Sequence, residues 1–297
     1  MSKPLPRDDF RSVRIVLEPE EFALGSENPE IAPTDLIPEE IWRHLVGLPD
    51  DVAVRTSNHR GTILKDLSEL QGEFVCVSLA IQQLATRGAN SPFEHVLIDA
   101  SDELQASIYN ALTGYYRVAF STLRNVVEHL TIGLHLEFFR DQATFQAWLA
   151  GKELKFGWAA DHARKHSPVG DLEAHLMGIV HDDFFRQTSS ADSGGLARRL
   201  FAKLSKYTHG GPGYADADIR QSNGPIFVSQ AFLDWAVTFI QVFSFCLVVC
   251  KLAQPRLASL VPCSKLTIQE LFEQASGMLQ SNDDGVPLFE NLPEFFW

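Results

Sequence analysis

From Pro38 onward apolar residues recur at spacings of three and four, the period of helices that bury one face. Leu64, Leu67, Leu70, Phe74, Val77, Ile81 and Leu84 trace such a stripe through 62–86, and Arg87-Gly88-Ala89-Asn90-Ser91-Pro92 closes it. A second stripe reads Leu104, Ile108, Leu112, Tyr115, Ala119, Leu123, Val126, Leu130 and Leu134. It predicts one long central helix, capped by Ser101 or Asp102 and reaching about Phe139, ~57 Å at 1.5 Å per residue.

Pro38-Glu39-Glu40 suits a helix start, since proline fits the first turn and acids complement the helix dipole. Shorter amphipathic segments are expected at 142–150 and 152–165, split by Gly151, and at 171–186. A flexible break at 189–195 precedes a helix over 196–207, which His209-Gly210-Gly211-Pro212-Gly213 stops. Residues 226–253 are apolar on nearly every face and predict the buried central helix of a bundle. A last helix is expected over 267–280. No period of repetition emerges, so the reading is a single all-α helical bundle over 38–281.

The two ends read differently. Residues 1–37 are rich in proline and acids, which predicts an extended arm in which 11–17 alone has strand-like alternation. Residues 282–297 form a tail ending in Phe295-Phe296-Trp297. Three aromatic rings are costly to leave in water, so the tail is expected to dock on its own fold or on a protein partner.

A hydrophobic fraction of 45% and 21% charged residues are globular values, and 21 Phe suggest a core filled by aromatic rings. The formal net charge of -13 argues against a surface that holds long nucleic acid by general attraction, although a local basic pocket stays open. Cys76, Cys246, Cys250 and Cys263 form no CxxC pair, so reduced, buried thiols are expected. No apolar segment follows the charges of MSKPLPRDDF, and a cytoplasmic protein is the expectation. The run 231–250 approaches membrane length but carries Asp234, Gln241 and Ser244, which favours a core helix over a membrane span.

On a helical wheel Arg117, Ser121, Arg124, Glu128, Thr131 and His135 share a sector of about 80° opposite the apolar stripe. This polar seam is either a solvent face or a surface turned to a ligand. Arg124, Asn125 and His129 make the second alternative chemically interesting. A guanidinium stabilises phosphate charge and an imidazole moves protons near neutral pH, a pair suited to phosphodiester chemistry without a metal.

The spelling Arg124-Asn125-x-x-x-His129 resembles the motif of the HEPN superfamily, the higher eukaryotes and prokaryotes nucleotide-binding domains. The resemblance implies a helical bundle, often dimeric, whose Arg and His mark metal-independent ribonucleases of toxin or defence systems. On that basis His129 would be a general base on an RNA 2′-hydroxyl, Arg124 would stabilise the phosphorane and Asn125 would orient. Arg124 and His129 stand roughly 140° apart on an ideal helix. A homodimer completing the site across a two-fold axis is therefore expected, with leucine and valine neighbours of the same helix supplying the apolar contact.

Lys206, Tyr207 and His209 form a second candidate patch, because a helix C-terminus favours a cation and the glycines after it allow close approach. It is not a P-loop, since the lysine precedes the glycines and a helix leads in. His162 and His166 have the i,i+4 spacing of helix-borne metal ligands, but Arg164 and Lys165 repel a cation. No metal and no cofactor are expected. The first functional expectation is a HEPN-like protein acting on RNA or a nucleotide, and the alternative is a non-catalytic helical interaction or scaffold protein.

Overall fold

The computed structural model describes residues 38–84, 91–139, 142–179, 183–186, 194–208 and 225–255, together with 257, 268 and 270. Both the arm at 1–37 and the tail at 282–297 lie outside the described residues, as does most of the helix expected over 267–280. The described residues form an all-α bundle with no strand among them.

Helix α1, Glu39–Trp42, begins on Pro38 as expected and passes through a π-helical turn, Arg43–Gly47, into α2, Leu48–Leu84. α2 starts earlier than its apolar stripe. It kinks at Arg60, which leaves helical geometry at φ -137° and ψ 16°. There His59 stacks on Phe227 with ring centroids 5.2 Å apart, and the Arg60 guanidinium donates to the Ser229 hydroxyl, so the kink ties α2 to the start of α9.

The long central helix expected over 101–139 is instead two helices, α3, Pro92–Leu112, and α4, Tyr116–Phe139. Ser91, read as part of a breaker, caps α3 by accepting the Glu94 backbone N–H. The helix stops at Thr113, whose hydroxyl donates to the Tyr109 carbonyl at 2.8 Å, and the chain reverses through Gly114 at φ +81°. A Cβ there would stand 2.4 Å from the Ile226 carbonyl oxygen, so only glycine satisfies both the left-handed backbone and the close approach.

Pairing across the turn shows that α3 and α4 run antiparallel. Ser107 bonds Ala119, Glu103 bonds Asn125, and Ser91 bonds Glu137. Gly133 faces Val96 so closely that a Cβ would come within 2.3 Å of its side chain. The apolar stripe ran on across 113–115 because each half of this hairpin is amphipathic in its own right.

After α5, Gln142–Leu149, the chain turns through Gly151 at φ +94° and enters α6, Phe156–Ala163. Next come α7, Ser167–Ile179, and α8, Leu196–Thr208. α7 replaces the helix expected over 171–186, and 183–186 lie outside helix. The carbonyls of Asp183, Phe184 and Arg186 accept the N–H groups of Leu196, Ala197 and Gly195, so this non-helical piece caps α8.

α9, Ser229–Ala253, is the core helix predicted by its apolar faces. By length and composition it alone among the described helices could cross a membrane, but 78% of its apolar window is buried inside the bundle. Asp234 is exposed near its start and accepts from Gln230 at 2.8 Å. The expectation of buried thiols holds for Cys246 and Cys250, while Cys76 is exposed. Burial pushes both buried thiols well up from their ordinary value, which leaves them unreactive.

Candidate functional site

Helices α3, α6, α8 and α9 surround α4, and this decides what the polar seam faces. Its N-terminal half packs on α8. Arg117 donates to the Tyr207 carbonyl at 3.0 Å, and the Ser121 and Thr208 hydroxyls lie 3.5 Å apart. Arg124 donates to the Ser205 hydroxyl at 3.3 Å, pairs with Glu128 at 2.9 Å and lies over the Phe201 ring at 4.8 Å. The C-terminal half is buried. Thr131 returns its hydroxyl to the Val127 carbonyl, and His135 is 3% exposed. The seam is thus a helix–helix contact, neither an open solvent face nor an open ligand face. A wheel drawn for one helix gives the sector but not the neighbour that covers it.

Asn125 turns the other way and donates to Glu103 of α3 at 3.0 Å. His129 follows Asn125 by one helical turn and is half-buried. Its Nδ1 is buried without a hydrogen-bond partner. No hydrogen bond, ion pair or ring contact joins Arg124 to His129 among the described residues. The divergence expected from the wheel is therefore retained, with Arg124 held to α8 and Asn125 to α3.

The apolar side chains expected to support a two-fold contact along α4 lie in the chain's own core, because Leu123, Val126, Val127, Leu130 and Leu134 are all buried. Only Val118 and Phe139 are exposed among the large apolar residues of α4.

The second candidate patch is split. Lys206 is exposed, whereas Tyr207 stacks on Phe120 with centroids 4.0 Å apart and planes at 13°. His209 lies outside the described residues.

A cluster of which the sequence shows only the His162 and His166 spacing joins α4 to α6. His135 packs between Phe139 at 4.6 Å and Trp158 at 4.5 Å, with the His162 ring 5.5 Å away. His166 lies against Phe138 and Phe139. His162 Nδ1 is 2.8 Å from the Trp158 carbonyl oxygen, and Asp161 pairs with Arg198. Among the described residues no three groups of His, Cys, Asp or Glu converge as a metal ion needs. Trp158, His162 and His166 at successive spacings of four were the available signal.

No family model, no curated protein and no solved structure matches this chain.

Proposed function

We propose that this chain is a HEPN-like protein acting on RNA or a nucleotide, with His129 as its proton-handling group. The observation that carries the reading is the His129 imidazole, half-buried on α4 with an unpartnered Nδ1, one turn from an Asn125 that Glu103 holds in place. A buried ring nitrogen without a partner costs stability, and a ligand that satisfies it recovers that cost.

In this reading His129 takes the proton of a 2′-hydroxyl, the 2′-oxygen attacks the adjacent phosphorus, and the bond to the 5′-oxygen breaks as that oxygen gains a solvent proton. Arg124 stabilises the pentavalent phosphate only after exchanging Glu128 for it, because the two are paired in the free protein. A second copy of the chain is expected to supply the other half of the site. The test is RNA incubation in chelator, with 2′,3′-cyclic or 3′-phosphate ends expected and their loss in His129→Ala. Strict dependence on a divalent ion would sink the proposal.

One observation favours a second reading, a non-catalytic helical interaction or scaffold protein. The Arg124 guanidinium is already engaged by Glu128, Ser205 and Phe201, as in a structural contact. Under that reading purified protein leaves RNA intact while Arg124→Ala lowers stability.

A further inference from the structure

We propose that the outer face of α6 is a stacking site for single-stranded nucleic acid, separate from Arg124 and His129. Lys155, Trp158, His162 and Lys165 recur at spacings of three and four, so they share one side of α6 and the turn that follows it. The buried side is carried by Phe156, Ala159, Ala160 and Ala163. Both lysines are exposed, Trp158 is 39% exposed, and Phe139 of α4, which packs on the same His135 and His162 rings, is 42% exposed.

Large aromatic rings left this open are unusual among the described residues, whose other Phe and Trp side chains largely fill the core. They are also held in place from beneath. Trp158 stands nearly perpendicular to the buried His135 ring, at 80°, and contacts His162 at 4.5 Å.

The local charge selects the ligand. The chain carries -13 overall, yet 152–165 contain four cations and two acids. One of those acids, Asp161, is neutralised by Arg198. Arg164 is in turn taken by Glu173 at 2.7 Å, which leaves Lys152, Lys155 and Lys165 facing solvent with Glu153 as the only free acid among them.

A face of open aromatic rings between exposed lysines repels cationic ligands and suits one that combines flat rings with phosphates. Cations on both sides of the rings fit a strand of alternating bases and phosphates better than a mononucleotide. A membrane surface would call for aliphatic area beside the tryptophan, which α6 does not expose. Only short single strands are expected to bind, because the acidic chain opposes long polyanions.

The test is fluorescence anisotropy of a labelled ten-nucleotide oligouridylate with the full chain at low salt, in chelator. Trp158→Ala is expected to weaken binding about ten-fold. The exposed-site pair Lys155→Glu and Lys165→Glu is expected to weaken it further and flatten its salt dependence. Trp158→Phe should retain most of the affinity and serve as the folding control. His129→Ala should bind as wild type does, which separates this site from the proposed catalytic one. The inference is overturned if wild type shows no binding, if Trp158→Ala and the lysine pair bind as wild type does, or if uridine monophosphate binds as tightly as the oligonucleotide. Trp158-dependent binding to phosphatidylglycerol vesicles without binding to the oligonucleotide would overturn it too.

Discussion

Trp235 of α9 donates its indole N–H to the Ser107 hydroxyl of α3 at 2.9 Å, and the Ser107 O–H in turn donates to the Ala119 carbonyl of α4 at 2.8 Å. This buried relay joins the three helices that form the centre of the bundle, and both side chains are fully enclosed. Trp235 contributes a large apolar surface, but it can be buried only where its N–H finds an acceptor.

Ser107→Ala should therefore cost more than the loss of one hydroxyl, because it leaves the Trp235 N–H buried and unpaired. A loss of about 1–3 kcal/mol is expected in urea titrations. Trp235→Phe in the Ser107→Ala background should cost less than the sum of the two single changes, and additive losses would show that the pair is not coupled.

Gly114→Ala should destabilise the hairpin by about 3 kcal/mol, since it combines a left-handed backbone with a collision against Ile226. Circular dichroism during thermal unfolding will register this as a lowered midpoint. A neutral result would mean that the turn relaxes without cost.

Asp66 is only 5% exposed, and one of its carboxylate oxygens has no partner. Burial pushes its carboxyl up from the ordinary value; Lys65 pulls it down and Glu69 adds to the rise. The folded state thus holds the proton more tightly, so this contribution to stability is whole below the unfolded pKa and is lost as pH rises through the folded one. Asp66→Asn should raise stability at pH 7 by about 1 kcal/mol, with the gain shrinking toward pH ~4. Urea titrations at both values decide the matter, and an equal gain at each would refute the electrostatic account.

Arg124→Ala should lower stability by about 1–2 kcal/mol, because Arg124 bonds Ser205 and Glu128 and covers Phe201. Glu128→Gln should cost less, about 0.5 kcal/mol, since it removes one i,i+4 pair. Denaturant midpoints for the two variants separate a structural arginine from one held ready for phosphate. A neutral Arg124→Ala would remove the structural role.

Local chemistry was enough for some of these elements. Pro38 and two acids mark the start of α1, the polar residues at 234 and 241 mark α9 as a core helix, and Gly151 marks the break before α6. Each depends on the backbone needs of a few consecutive residues or on an apolar period. The candidate site was legible only as far as residue type and spacing. Arg124, Asn125, Glu128 and His129 lie on one helix as expected, but Ser205 of α8 and Glu103 of α3, which hold Arg124 and Asn125, lie some eighty and twenty positions away in sequence.

The sequence alone determined that the chain is helical, that 226–253 would be buried, and that Arg124 and His129 would diverge, because these follow from the helical period and from the cost of burying polar groups. Tertiary structure decided that α3 and α4 fold back as a hairpin, since Gly114 is required by contact with Ile226, a residue beyond any local pattern. It also decided that the polar seam meets α8 and that Trp158 and Phe139 both pack on His135. A periodic pattern states which side of a helix is polar, and only packing determines what that side meets.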